Sequence, residues 1–310
     1  MNAVMWLPPA ASAVLWVAST RLGRSLPPST AVRLLTAAAL AAALATGFVL
    51  AVAALVAAAQ IPAVATLGHW SIIAVRTGAV SGTVGVLAGL TVSVLLGAAV
   101  CRTVRAGRDL ALAALTCRRL GPGVAGLVVV NDDQPDAYAL PGLGGRVVVS
   151  TAMLRALPAD ERRVLLAHED AHLVHRHHLY VQLAELAAAA NPLLRPVAHA
   201  VRAGVERWAD EAAAADVGDR PLAARALARA GLARAAAGHR TCTPAVALGA
   251  AHSDVADRAR ALLAAPPRRR PILAAALAAL ALLTVAAAGQ TAHDTEHRFE
   301  QAQAAYLAPR

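Results

Sequence analysis

Lysine is absent from this 310-residue sequence, so all 29 basic side chains are arginine. Charged residues make up only 15% of the chain and aromatic residues only 3%. Hydrophobic residues reach 58%, and the mean hydropathy of +0.54 is higher than that of ordinary soluble domains. The composition therefore argues against a soluble protein and predicts a membrane protein.

Cysteine is also scarce, with only Cys101, Cys117 and Cys242 in the chain. Their spacing forms no metal-binding pair, and in a reducing compartment they are interpreted as packing residues. The net charge of +10 comes without any nucleic-acid-binding motif. We attribute that charge to membrane topology and contact with anionic lipids, and expect no direct nucleic-acid binding.

Four long uncharged stretches are candidate membrane spans. Three of them have about the 20 residues that a helix needs to cross a bilayer core. The first is shorter and contains Pro8-Pro9, so a signal peptide is an alternative interpretation. Because Arg21 and Arg24 follow this stretch rather than precede it, a retained span is favoured. The predicted spans are residues 3–19, 34–59, 79–100 and 271–289.

The placement of arginine predicts how these spans are oriented, because short arginine-rich loops stay in the cytoplasm. Arginines are concentrated after the first span, after the third span and just before the fourth, whereas the second loop holds only Arg76. The chain is therefore predicted to be a multi-pass protein of the plasma membrane. Residues 1–100 carry three spans, residues 101–270 form a cytoplasmic catalytic domain, and residues 290–310 form a short outer tail.

The most informative motif is His-Glu-x-x-His at residues 168–172. Pro158 and two acidic residues before it are typical of a helix start, and His168 and His172 fall one turn apart on that helix. Two imidazoles in this arrangement can bind one metal ion, and Glu169 beside them can accept a proton from water. The motif therefore indicates metal-assisted hydrolysis of a peptide bond.

A third ligand is available on a second predicted helix, which follows a break at Asn191-Pro192. Glu206 lies 34 residues after His172, enough for the chain to reverse and return past the first helix. Asp210 is one turn further on the same face, where it can orient a metal-bound histidine. Two histidines and one glutamate leave a fourth position open, which is typical of catalytic zinc, and one Zn²⁺ per chain is predicted.

The remaining histidines are interpreted as lying outside this site. Three of them follow the motif directly and are read as a polar helix end near the membrane surface. His293 and His297 are read as having no partner at ligand spacing. The three that follow the motif are His175, His177 and His178.

Three short apolar runs separated by Asp, Pro and Gly predict a small sheet before the motif helix. They comprise residues 127–130, 137–140 and 147–149. The fold class is therefore predicted to be a membrane α-helical protein with about four spans and an inserted α+β zincin-like catalytic domain.

Residues 125–263 resemble the catalytic domain of integral-membrane gluzincin metallopeptidases. The similarity rests on residues 136–142, residues 146–150, the His-Glu-x-x-His motif, and Glu206 with Asp210. This group includes HtpX and CAAX prenyl protease types and the BlaR/MecR-type antirepressor peptidases. The order of spans and zinc domain is similar to the BlaR/MecR type, although the tail after the fourth span is expected to be too short for a sensor domain.

The resemblance implies two further roles. His252 begins a segment that is similar to the His-Pro-x-x-x-x-Arg segment of HtpX. Ser253 stands in place of the proline, and Arg258 matches the arginine. By this resemblance, His252 would help to stabilise the oxyanion. An edge strand near the zinc would bind the substrate backbone by strand addition. A plain hairpin is an equally weighted alternative for that segment. The residues of this substrate-binding strand would be Tyr138, Ala139, Leu140, Pro141 and Gly142.

Three functional hypotheses follow. The first is a membrane zinc endopeptidase that cleaves a cytoplasmic protein such as a BlaI/MecI-like winged-helix repressor. The second is an HtpX-like protease for membrane-protein quality control. The third is a non-catalytic sensor or scaffold containing zinc, against which the intact Glu169 argues.

Overall fold

The computed structural model describes residues 3–76, 81–121, 123–142, 144–237 and 252–307, with the side chains of residues 3 and 252–254 excluded. The described residues form twelve α-helices, two short 3-10 helices and three β-strands. The α-helices are α1 (Leu7–Ser25), α2 (Pro28–Ala58), α3 (Pro62–Gly68), α4 (Ile72–Arg76), α5 (Gly82–Leu120), α6 (Thr151–Ala156), α7 (Ala159–Val174), α8 (His177–Ala190), α9 (Arg195–Val217), α10 (Arg220–Ala236), α11 (His252–Leu263) and α12 (Pro271–Leu307). The 3-10 helices are Ala3–Trp6 and Pro192–Leu194, and the strands are β1 (Leu127–Val130), β2 (Ala137–Leu140) and β3 (Arg146–Ser150).

Three helices, α2, α5 and α12, are long and apolar enough to cross a membrane. They correspond to the second, third and fourth predicted spans, but α5 continues to Leu120 and α12 to Leu307, well past the predicted span ends. Many apolar side chains of α5 are exposed, as expected for a helix that faces lipid. The first predicted span forms α1, which is not among the three, so a count of four spans stays a prediction.

The helices α1, α2, α8, α9 and α12 share one apolar core. Helices α8 and α9 form a hairpin that turns at Asn191 and packs against α2 along its length. Asn191 is buried at this turn, where its side-chain nitrogen donates to Ser12 Oγ of α1 at 2.9 Å. The Ser12 hydroxyl in turn lies 3.3 Å from Thr46 Oγ1 of α2. The tip of the hairpin is therefore attached to α1 directly, and to α2 through Ser12, by polar contacts inside an apolar bundle.

The predicted small sheet is confirmed and has the strand order β1-β3-β2. Strand β3 pairs parallel with β1 and antiparallel with β2, so β2 is an edge strand and also half of a hairpin. Buried residues of the sheet pack on one side against α6 and α7 and on the other against α5, where Cys117 is buried beneath the sheet. Cys117 is thus a packing residue as predicted, Cys101 is exposed, and Cys242 lies outside the described residues.

Helix α7, which carries the motif, begins directly after Pro158, with Asp160 and Glu161 in its first turn as predicted. It packs against α9 and α10 through small apolar residues, including Ala213 and Ala224, which lets the helix axes approach closely. This packing brings α9 alongside the motif.

Replacing Asn191 with alanine should lower the stability of the fold. The change removes the bond to Ser12 and the bond that Asn191 Oδ1 accepts from the Leu193 amide at 3.2 Å. Loss of a buried hydrogen-bonding group should decrease the free energy of unfolding by about 1–3 kcal/mol. Unfolding in detergent micelles measures this. Ser12→Ala should also lower the stability, because it leaves the buried Asn191 nitrogen without its partner. Equal stability of Asn191→Ala and the wild type would contradict this assignment.

Candidate metal centre

Helix α7 places the two motif histidines on one face, as the spacing of four residues requires. His168 Nε2 and His172 Nε2 are 3.2 Å apart, and the two rings are nearly perpendicular, with an interplanar angle of 71°. His172 is buried and the His168 side chain is only 13% exposed. Two imidazole nitrogens thus face the same small volume from one rigid helix.

Glu206 approaches this volume from α9. Its Oε2 lies 3.8 Å from His168 Nε2, and its Oε1 lies 3.7 Å from His172 Nε2. Within the described ranges, these three residues are the only group of three or more ligand-type side chains whose ligand atoms lie within 4.8 Å of one another. Two neutral imidazoles and one carboxylate suit Zn²⁺ and leave a coordination position for water or substrate. The structure therefore brings together the three predicted ligands.

Each histidine is oriented by a polar group on its other ring nitrogen. Asp210 Oδ1 lies 3.1 Å from His168 Nδ1, as the spacing of Glu206 and Asp210 predicts. His177 Nδ1 lies 3.0 Å from His172 Nδ1. The Asp210 carboxylate accepts a hydrogen bond from His168 Nδ1, which leaves Nε2 to face a metal ion, and the contact with His177 orients the His172 ring.

His177 is the residue that sequence reasoning missed. It is fully buried, and this burial is the largest of the causes that lower the pKa of His177 to about 2. The ring is therefore neutral. The prediction of a polar helix end is therefore wrong for His177. The chain turns at Arg176, which has a positive φ of 51°, and this turn folds His177 back under α7. His175 stacks on Trp208 with 4.7 Å between ring centroids.

Arg258 joins the two acidic residues of the site. Its Nε and Nη2 donate to the two carboxylate oxygens of Asp210, each at 2.7 Å, and its Nη1 lies 2.9 Å from Glu206 Oε2. Arg258 is 2% exposed although it lies on α11, far along the chain. Burial alone would raise the pKa of Asp210, but Arg258 and His168 outweigh it and hold that pKa well below its usual range. Asp210 is therefore ionised and can hold the proton on His168 Nδ1.

Glu169 is buried beside the three ligands and is 3% exposed. Burial raises the pKa of Glu169 to about 7 in the metal-free protein, because desolvation disfavours its charged form. Its Oε2 has no hydrogen-bond partner among the residues that the structure describes. A carboxyl group with a pKa near neutrality can both accept and donate a proton, which is the property that acid-base catalysis needs.

A small pocket opens at the site, lined on one side by the polar residues already described. Its other walls are mainly short apolar side chains of α9, α10 and α11, together with Arg234. The apolar lining residues from these helices are Ala213, Ala223, Ala226, Leu227, Ala230 and Leu262.

The predicted substrate-binding strand is close to α7. Ser150 N donates to Asp136 O at 2.9 Å, which fixes which residues of β2 bond to β3. Because main-chain groups alternate along a strand, those of Tyr138 point toward β3. The main-chain groups of Ala137 and Ala139 point toward the open edge. The Ala137 carbonyl there accepts from Arg234 Nη2 at 2.9 Å. Ala139 therefore carries the groups that a substrate strand could pair with.

The other proposed substrate-binding residues continue from this edge. Leu140 is buried at the end of β2, and Pro141 and Gly142 follow it, with Gly142 next to Cys117. The side chain of His252, at the first residue of α11, lies outside the described part of the chain. Its role as an oxyanion ligand therefore stays a prediction.

Comparison with known proteins agrees with this geometry. Residues 118–191 match the model for Peptidase family M48. A Protease HtpX homolog from Aeropyrum pernix is 44% identical over 61 residues, which are 19% of this chain and 19% of that protein. The match thus spans about a fifth of that relative's length. No solved structure matches.

These matches, the three apolar helices and the metal-ligand group support a membrane-type M48 metallopeptidase. The M48 match covers the sheet, the His-Glu-x-x-His motif and α8, but it ends before α9 and Glu206. The contacts that bring Glu206 to the histidines therefore add a third ligand that the matched segment does not contain.

Removal of a single ligand should release the metal. Glu206→Ala takes away the carboxylate that faces both imidazoles, so purified protein should contain much less zinc than the wild type. Glu211→Ala is the matched control, because Glu211 lies on the same helix but pairs with Arg220. Elemental analysis of both variants measures the difference. Wild-type zinc content in Glu206→Ala would rule out this ligand set.

Loss of Arg258 should destabilise the protein strongly. In Arg258→Leu the buried carboxylates of Asp210 and Glu206 lose their cationic partner, which typically costs about 3–5 kcal/mol. The control Arg260→Leu breaks an exposed pair with Asp257 on the same helix and should cost less than about 1 kcal/mol. Chemical unfolding in detergent compares the two variants. Similar losses would show that the buried network is not specially important.

Proposed function

We propose that this protein is a membrane-embedded zinc endopeptidase. The observation that carries the proposal is the carboxyl group of Glu169, which is buried next to three convergent metal ligands and has a raised pKa. A structural metal site has no need of such a group. The M48 match and the HtpX homologue support the same class of enzyme.

The residues have distinct roles in the proposed reaction. His168, His172 and Glu206 would hold one Zn²⁺, which supplies Lewis acidity toward the scissile carbonyl and toward water. Glu169 takes a proton from the attacking water and then delivers it to the leaving amide nitrogen. Asp210 holds the proton on His168 Nδ1, and a segment of substrate pairs with the edge of β2 near Ala139. His252 would donate to the oxyanion.

The proposed setting is the plasma membrane, with the catalytic domain in the cytoplasm. Three helices have the length and composition of spans, and α1 would be a fourth. Arginines cluster at the ends of the proposed spans that adjoin the catalytic domain, which favours a cytoplasmic location for it. The partners are then a lipid bilayer and a protein substrate, without direct contact to nucleic acid.

Two biological roles are compatible with this chemistry. One is cleavage of a cytoplasmic winged-helix repressor of the BlaI/MecI type, which rests on the order of spans and zinc domain. The other is HtpX-like quality control of membrane proteins. It is supported at least as well, because the aligned relative is a Protease HtpX homolog. A non-catalytic zinc-containing sensor or scaffold is the third alternative, and it leaves Glu169 without a role.

Glu169→Gln should abolish proteolysis while the metal stays bound. The change removes the proton acceptor but none of the three ligands, and acid-base catalysis of this kind contributes about 100-fold or more to the rate. The matched control is Asp170→Asn, an exposed neighbour on the same helix that should retain activity. Digestion of a general protein substrate in detergent and zinc analysis test both variants. Full activity of Glu169→Gln with zinc bound would refute the enzyme and favour a scaffold.

The same variant can identify the substrate. Glu169→Gln and wild type are expressed in the native host, purified in mild detergent, and compared for proteins that only the inactive variant retains. A single DNA-binding protein would support repressor cleavage. A broad set of membrane proteins would support quality control instead.

A further inference from the structure

Helix α12 carries a second pair of histidines beyond its apolar segment. His293 and His297 are four residues apart, so they lie one turn apart on one face. Their Nε2 atoms are 3.1 Å apart, and the rings are nearly perpendicular at 76°. The interpretation that these histidines lack a partner at ligand spacing is therefore wrong, because each is the partner of the other.

An acidic residue orients this pair. Glu300 Oε2 lies 3.1 Å from His297 Nδ1. A carboxylate at this position holds a proton on Nδ1, so the lone pair of His297 is on Nε2, which faces His293. Glu300 is itself exposed on the next turn of α12, so it can adjust to the ring without distorting the helix.

The arrangement repeats that of the proposed zinc site in three measurements. In that site the two Nε2 atoms are 3.2 Å apart, the rings meet at 71°, and Asp210 lies 3.1 Å from His168 Nδ1. The corresponding values on α12 are 3.1 Å, 76° and 3.1 Å. The main differences are the exposure of the second pair and the lack, within the described residues, of a third ligand within 4.8 Å.

This end of α12 is held in place by other parts of the chain. Ser71 N donates to Ala302 O at 2.9 Å, and Trp70 packs against Phe299 with ring centroids 5.1 Å apart. Both contacts lie just after His297, so the helix is anchored on that side of the pair, and the helix itself keeps the two imidazoles in a fixed relation. A preorganised pair binds a metal ion at a smaller entropic cost than two histidines on a flexible segment.

We propose that His293 and His297 form a second metal site, for a divalent transition-metal ion of the class that prefers imidazole, such as Zn²⁺, Ni²⁺ or Cu²⁺. Two protein ligands bind the ion, Glu300 orients one of them, and water fills the remaining positions. The site is accessible to solvent, and its ion exchanges more readily than that of a buried three-ligand site. This proposal is independent of the proposed peptidase activity.

Metal titration of the full-length protein in detergent tests the proposal. Equilibrium dialysis against Zn²⁺ should show about one tightly held equivalent at the three-ligand site and about one weaker equivalent at the histidine pair. His293→Ala and His297→Ala should each remove the weaker equivalent and leave the tight one. His199→Ala is the matched control, since it is an exposed helical histidine without a described histidine one turn away. This control should keep both equivalents.

A further variant separates ligand binding from orientation. Glu300→Gln keeps both imidazoles but no longer fixes the proton on His297 Nδ1 as firmly. The histidine pair should therefore still bind its Zn²⁺ equivalent, with an affinity about 10-fold lower. Thermal unfolding confirms that each variant is folded. If the wild type binds one equivalent only, or if the histidine variants still bind the weaker one, the pair is only a surface hydrogen bond and the proposal is overturned.

Discussion

The buried arginine Arg258 is the interaction on which the site depends. Two carboxylates, Glu206 and Asp210, lie in an apolar interior, and ionised carboxylates are costly there without a cation. Arg258 neutralises both, and it also connects α11 to α9. Without it the pKa of Asp210 would rise, because burial would then be opposed by His168 alone, and Glu206 would be held less firmly beside the two histidines. A single guanidinium thus sets the charge and the geometry of the metal ligands.

Much of the site could be predicted because its features are local. The start of α7, the one-turn spacing of His168 and His172, and the break before α9 all follow from neighbouring residues and helical period. The same is true of Asp210, one turn after Glu206. The three strands were also predictable, since β-branched runs between Asp, Pro and Gly are typical of strands.

The parts that could not be predicted depend on the fold. His177 reaches His172 only because Arg176 adopts a positive φ, and nothing in the local sequence requires a turn at that residue. In the sequence Arg258 stands out only by its place in a family-like segment, and its contacts with α9 arise from packing between helices distant in sequence. Arg234 likewise reaches the edge of β2 from α10. The pairing of His293 with His297 follows from their spacing of four residues on one helix, although no known motif surrounds them.

The hydrogen bond from Asn191 to Ser12, which in turn contacts Thr46, has a mechanical consequence. Asn191 is next to the start of α9, and Glu206 lies on the same straight helix, about 17 Å from its first residue. A tilt of α9 by about 5° about that end moves Glu206 by about 1.5 Å, whereas metal-ligand distances tolerate only about 0.2 Å. The hydrogen bond from Asn191 to Ser12 holds the start of α9 against α1, and so it helps to keep Glu206 beside the two histidines.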